Sequence, residues 1–523
     1  MAAKPRRRLA VSTAIFAIAT ALSRVAGLLR EIVAASFFGT TAAASAFTFA
    51  SQIPNLMASL FAQAALSSAF VPVFTGLLQE GRKREAVRLA STLFWLVLIG
   101  LGALIAIAML LVGAVMPMFT SSHFDGSLAA ALTEIMFPTV LAMALMGLLA
   151  GILQSYDEFS IPAAAPVAWN AVILALLIGL HHTFHPSIYA YAVAWLVATV
   201  VQLAIVGSAL RRIDFRLRLE LDWRDPRVRQ VFTLMLPVTI GLGILNLDQL
   251  INSSFGALVS PQGPRAIQFA FLVYMLPQGV FSVAVSTVLF PTLSRQAARR
   301  AAAEMRRTLG NGMRQINLLL IPCAAGLMVL ATPITRLVFQ HGVFNATSTH
   351  LTSTALFYFA WSLPFSGLNL LLTRTFFAVR RPWIPTKLAA VNITLDVILS
   401  ALLYRPLGIA GLVIGTAVAN VLMTFLQAAR IRVGLRGIDG HQTLMISVRV
   451  VLASALTAGV ARGVWVGLTA LLGDSTIGQL VSVGLAVVVA GAFYFRLVLA
   501  LRVPEARQIE QLVRQRLGIL ARA

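Results

Sequence analysis

Apolar residues in this chain arrive in long blocks separated by short basic clusters. A membrane-spanning helix needs about 20 mostly apolar residues. Fourteen blocks meet that requirement: 9–36, 42–78, 87–119, 129–155, 160–181, 187–210, 230–259, 265–294, 313–340, 349–379, 385–404, 407–430, 445–471 and 477–500. Several exceed what a bilayer requires, which predicts tilt or extension beyond it. The pattern predicts an all-α polytopic membrane protein. No intervening segment is long enough for a soluble domain. The longest, 211–229, is charged and reads as lying at the membrane surface.

Composition strengthens this reading. Of 523 residues, 59% are hydrophobic and 11% charged, against about 45–50% and about 25% in soluble domains. That is too little polar surface to coat a globule. The balance of 41 Lys+Arg against 18 Asp+Glu gives +23, which in a soluble protein would suggest nucleic acid. Position argues otherwise. With the N-terminus inside, the basic clusters around 4–8, 82–88, 211–229, 295–314, 380–387, 430–436 and 502–522 all fall on one side. The opposite loops carry only Arg265 and Arg405. This is the cytoplasmic bias of basic residues in membrane proteins, so both termini are expected inside and no nucleic-acid role is needed. The N-terminal cluster resembles a signal peptide, but the apolar block runs on without a clear cleavage site and reads as a retained helix. The single cysteine, Cys323, excludes an intramolecular disulfide.

A weak internal repeat is visible. Ile53-Pro54 and Phe70-Val71-Pro72 precede one basic loop, and Leu276-Pro277 and Leu289-Phe290-Pro291 precede another. The two patterns lie six helices apart. They predict two six-helix lobes of the same orientation, at 1–212 and 213–436, with two further helices and a basic tail at 437–523. Chance prolines are the alternative, since Pro is common in membrane helices.

Ionisable groups inside membrane helices are costly and functional by default. The first block holds Arg24, Arg30 and Glu31. Residues 24 and 31 fall on one face of an unbroken helix, and Gly27 allows a bend. Guanidinium forks suit phosphate, so these residues read as a cavity for an anionic head group. The alternative is a structural Arg30–Glu31 pair or snorkelling. Asp248 and Asn252 are four apart, as are Asn392 and Asp396, and such pairs share a helix face. Their hard oxygen atoms suit a small cation, with Thr416 able to add a hydroxyl. They read as a Na⁺ or H⁺ site; interhelical hydrogen bonding is the alternative. The HHTFH cluster at 181–185 reads as a solvated loop. No Walker A, HExxH or nucleophile-elbow motif occurs, and no catalytic loop is long enough for an integral-membrane enzyme. A transporter, not an enzyme, is expected.

The segments SRVAGLLRE (23–31), FFG (37–39), QIPNL (52–56), ALSSAFVPVF (65–74), FSIPAAAP (159–166) and LPQGVFSVAVSTVLFPTLSR (276–295) resemble the MurJ (MviN) lipid II flippases of the MOP exporter superfamily. The resemblance covers essentially all fourteen blocks in order. It implies alternating access by two lobes around a cationic cavity, with the last two helices forming a groove for the lipid tail. The implied cargo is undecaprenyl-diphosphate-linked peptidoglycan precursor, moved from the inner to the outer leaflet of the bacterial inner membrane. A monomer is expected, with cell-wall synthesis proteins as partners. By match, Arg24 and Arg30 fall on first-helix cavity arginines and Glu31 on the adjacent acid. Asn392 and Asp396, with Thr416 beside them, resemble a sodium site described for some members, whose seventh-helix ligand here would be Asp248 or Asn252. The chain departs from the family at Ser45, Ala58, Ser59, Gln63, Phe271 and Leu272, where members often carry charges. A MurJ-like paralogue for another polyprenyl-linked glycan, and a small-molecule or cation antiporter of the superfamily, stand as alternatives.

Overall fold

The computed structural model describes the backbone of residues 3–61, 63–115, 126–180, 182–184, 187–435, 437–507 and 510. Within these, the side chains of 3–18, 20, 58–61, 63–69, 115, 236–238, 240–246 and 248 are not described. The described residues are mostly helical, joined by short turns and one longer irregular segment, 214–225. They form two compact units, Met1–Arg265 with His341–Phe344, and Ala266–Gln340 with Asn345–Ala523.

The first unit contains α1 (Ala3–Phe38), α2 (Ala42–Phe61), α3 (Gln63–Gln79), α4 (Lys83–Leu96), α5 (Gly102–Val115), α6 (Gly126–Met136), α7 (Pro138–Ser155), α8 (Ser160–Leu180), α9 (Ile188–Ser208) and α10 (Pro226–Val259). The opening residues of α11 (Gly263–Pro277) complete it. α8 packs on α1 and α9, α7 on α3, and α10 along α2 and α3. Their apolar faces form one core around Phe47, Phe49, Phe70, Phe74 and Tyr191. A π-helical turn, Val97–Leu101, joins α4 to α5. The FFG motif ends α1. Gly39 has φ +55°, and a Cβ there would meet the Val343 carbonyl oxygen at 2.9 Å. Only glycine lets segment 341–344 approach this closely, and there the Val343 N–H donates to the Ser36 carbonyl at 2.8 Å.

The segment after α9 lies along α4. Arg218 N–H donates to Ser91 Oγ at 3.0 Å, Trp95 Nε1 donates to the Arg218 carbonyl at 2.9 Å, and Asp222 N–H donates to Thr92 Oγ1 at 3.2 Å. Side chains of one helix thus satisfy the backbone of an irregular segment that has no ladder of its own.

The second unit contains the rest of α11, then α12 (Val283–Ala298), α13 (Ala302–Val329), α14 (Ala331–Phe339), α15 (Ala346–Ala360), α16 (Leu363–Ala378), α17 (Trp383–Gly434), α18 (Gly440–Leu472) and α19 (Thr476–Ala500). Pro277 offers no N–H to the helix ladder, and α11 passes through a π-helical turn, Gln278–Ser282, into α12. α13 packs on α12, α16 and α18, and α18 packs on α19. α17 reverses at Gly408 (φ 59°, ψ −136°), so it comprises two of the predicted helices. They meet closely, since a Cβ at Gly411 would lie 2.2 Å from the Leu403 carbonyl oxygen and one at Gly415 3.3 Å from Ser400 Oγ.

Among the described residues, nine helices are long and apolar enough to cross a membrane, and a tenth arises if α15 and α16, bent by 52°, form one span. The expected architecture of an all-α polytopic membrane protein is therefore present. The fourteen-span count is an expectation from the apolar blocks, and α17 holds two of them in one of the nine.

Candidate functional site

Successive residues of a helix point about 100° apart, so Arg30 and Glu31 leave α1 in different directions. Arg30 reaches toward α8. Its Nη1 donates to Asn170 Oδ1 at 3.1 Å, and that amide lies against α1 beside Gly27. Asn170 is itself held, its Nδ2 donating to the Pro166 carbonyl at 2.9 Å. The Arg30 guanidinium also lies 4.9 Å from the Trp169 ring centre and 5.2 Å from that of Trp195. Cation–π contacts of this kind strengthen on desolvation. The Trp169 indole is fixed by donation to Thr199 Oγ1 at 3.1 Å.

Glu31 is 7% exposed and accepts from three directions. Arg30 Nη2 lies 2.7 Å from Oε1, Tyr191 OH 3.3 Å from the same oxygen, and Arg265 Nη2 2.9 Å from Oε2. Tyr191 is stacked on Phe47 at 4.2 Å. Arg265 is 1% exposed. The cluster holds two guanidiniums against one carboxylate, leaving a surplus positive charge in a desolvated site. Arg30 Nε is buried and makes no hydrogen bond. Removing such ions from water costs several kcal/mol each, and a buried pair often fails to recover that cost. Stability alone is therefore a poor reason for this arrangement, whereas anion handling is a good one.

Arg265 corrects the sequence reading, which put it in an outer loop. It stands in the first turn of α11 with its side chain inward. A signal was available, since it was one of only two basic residues breaking the charge alternation. Arg24 differs in the other direction. It is exposed, with no ion pair among the described residues, and does not join the Glu31 cluster. Seven residues restore the face but displace it about 10 Å along the axis.

The cation candidates divide between the units. On α17, Asn392, Asp396 and Ser400 follow at four-residue intervals along one face; Asp396 and Ser400 are buried and Asn392 half-buried. Asn392 Oδ1 and Ser400 Oγ are buried without hydrogen-bond partners. Thr416 is buried on the returning half of α17, one residue beyond the Gly415–Ser400 contact, and donates to the Leu412 carbonyl at 3.3 Å. Ser400 is a polar group the sequence reading missed, although it continues the same spacing. Asn252 is half-buried on α10, and the Asp248 side chain lies outside the described residues. No cluster of three His, Cys, Asp or Glu suited to a metal occurs among the described residues.

Three positions that depart from the family can be placed. Ser45 is fully buried and its Oγ makes no hydrogen bond. Phe271 packs on Tyr274 and Phe359, both at 5.8 Å, and Leu272 beside it is half-buried. The side chains of Ala58, Ser59 and Gln63, and residues His181 and His185 of the HHTFH loop, lie outside the described residues.

Residues 34–498 match the family described as "Lipid II flippase MurJ". The chain belongs to this family. Its members are transporters, not enzymes. Relatives agree with the assignment. A probable lipid II flippase MurJ of Rhizobium meliloti is 31% identical over 419 residues, covering 78% of each chain. The lipid II flippase MurJ of Burkholderia cenocepacia is 31% identical over 422 residues, covering 78% of this chain and 81% of its own. Among solved structures, a lipid II flippase MurJ in an inward closed conformation superposes with a TM-score of 0.76 at 22% identity, over 91% of this chain and 97% of its own. An inward-facing MATE-family multidrug transporter of the MOP superfamily gives 0.67 at 14% identity, over 79% and 94%. The fold is thus that of the solved MurJ, shared with the MATE-family transporter.

Proposed function

We propose that this protein flips lipid II, the undecaprenyl-diphosphate-linked peptidoglycan precursor, from the inner to the outer leaflet of the bacterial cytoplasmic membrane by alternating access. The observation that carries this reading is the buried Arg30–Glu31–Arg265 cluster, whose cations exceed its anion. A diphosphate carries more negative charge than one carboxylate and offers more acceptor oxygens. In this reading Glu31 holds both guanidiniums in place until the diphosphate competes for them. Exposed Arg24 makes the first contact. The cationic first helix argues against a multidrug antiporter, which would need an acidic, aromatic cavity for its cations. Other polyprenyl-diphosphate glycans share the anchor chemistry and are separated from lipid II by the experiment below.

Coupling to Na⁺ fits the oxygen stripe on α17. Asn392, Asp396, Ser400 and Thr416 are hard donors, and two of their oxygens are buried without partners. Asn252 and Asp248 on α10 are the remaining candidates. The charge asymmetry of the loops supports a cytoplasmic position for both termini.

The test is rescue of a bacterium whose own MurJ can be switched off. The parent chain, expressed in the membrane, should restore growth, while Arg24→Ala and Arg30→Ala at equal expression should not. A well-expressed parent that fails, yet binds a different polyprenyl glycan, would move the assignment to that glycan.

A further inference from the structure

The second unit carries a second basic site unconnected with Glu31. A cavity of about 980 Å³ opens where α12, α16 and α17 end and α13 begins. Arg300, Arg380, Arg381 and Arg430 line it, and no carboxylate does. None of the four has an ion pair among the described residues. The first unit provides a contrast. There a cavity beside α4 is lined by Arg84, Arg88 and Arg218 together with Glu85, Glu220 and Asp222. Its Arg88 lies 3.0 Å from Asp222, and Arg227 pairs with Glu85. This protein therefore neutralises one basic surface internally and leaves the other uncompensated.

Helix ends do not explain the difference. Each helix C-terminus carries roughly half a negative charge. Three of them offset less than half of four guanidiniums. Two of the arginines also stand where glycine is the usual residue. Arg300 and Arg380 have φ of +55° and +58° just past the ends of α12 and α16. Left-handed backbone at a non-glycine residue is unfavourable and points to a use for the side chain. Ala301, the residue just before α13, provides no side-chain cap. The first turn of α13 carries Glu304, which does not line the cavity. The remaining wall is mixed, with Phe376, Phe377, Ile384 and Leu435 beside the polar Ser294, Gln296 and Thr375.

We propose that this cavity binds a phosphate-bearing anion. Guanidinium forks match phosphate oxygens, and basic pockets between membrane helices take anionic lipid head groups. The chemistry is shared by a phospholipid head group and by soluble phosphates; the apolar part of the wall, Phe376, Phe377, Ile384 and Leu435, fits the lipid.

The test uses the full-length protein in non-ionic detergent, titrated separately with potassium pyrophosphate and with a short-chain phosphatidylglycerol. Short-chain phosphatidylcholine serves as the control. Binding is read as saturable thermal stabilisation. The variant R381Q/R430Q removes two lining arginines with ordinary backbone. R299Q/R432Q removes equal charge at two exposed arginines that do not line the cavity. The expected result is saturable binding of a phosphate-bearing probe, weakened about tenfold or more in R381Q/R430Q and less than twofold in R299Q/R432Q. R430Q alone serves should the double variant not fold. Phosphatidylglycerol binding that pyrophosphate does not displace identifies a head-group site; pyrophosphate binding alone identifies a soluble ligand. No saturable binding, or equal weakening in both variants, would overturn the proposal.

Discussion

Arg265 and Glu31 lie 234 positions apart in sequence, yet Arg265 Nη2 stands 2.9 Å from Glu31 Oε2 in a nearly water-free site. Both are buried, so each depends on the other. Truncating one partner of such a pair typically costs about 3–5 kcal/mol because the other charge is left uncompensated. Arg265→Ala should therefore lower thermal stability markedly in detergent. Arg265→Ala combined with Glu31→Gln should cost less than the two single changes added together. Additive costs in this double-mutant cycle would show that the pair is not coupled.

Arg24 and Arg30 should separate in the same assay. Arg24 is exposed, and surface substitutions usually stay within about 0.5 kcal/mol. Arg24→Ala should abolish transport with an unchanged melting temperature, whereas Arg30→Ala should reduce both. A large stability loss in Arg24→Ala would mean that it has a structural role.

The α17 stripe predicts an ion-specific effect. A ligand bound only to the native state at a hundred times its Kd adds about 2.7 kcal/mol. The melting temperature should rise in NaCl relative to choline chloride at equal ionic strength, and Asp396→Asn should remove the rise. Equal curves in the two salts would exclude Na⁺ from this site.

The segment after α9 should depend on Thr92, whose hydroxyl donates to the Glu220 carbonyl and accepts from Asp222 N–H. Each such bond is worth about 1 kcal/mol net. Thr92→Val should quicken proteolysis within 214–225 while leaving the transmembrane core intact, as read by fragment mapping. Unchanged cleavage would mean that the α4 contacts do not hold the segment.

Much of this architecture was legible in the sequence because it follows from local periodicity. Apolar blocks specify helices in any bilayer, and Arg30, Glu31, Asn392 and Asp396 stood out as charges or amides within them. What escaped depended on contacts distant in sequence. Nothing near Arg265 indicates that its partner is Glu31. The seven-residue spacing puts 24 and 31 on one face, and only the neighbouring helices decide that Arg24 is exposed and Glu31 buried. Ser400 was missed because a serine in a membrane helix is ordinary until its oxygen is seen buried without a partner.

The most direct measurement is lipid II flux in a strain relying on this chain alone. It is read as the fraction of lipid II reached by a lipid-II-cleaving enzyme added outside the cells. The parent should expose lipid II, Arg265→Ala and Arg30→Ala at equal membrane levels should not, and Arg299→Gln should behave as the parent. Undiminished flux in folded Arg265→Ala and Arg30→Ala proteins would contradict the assignment of transport to the buried cluster.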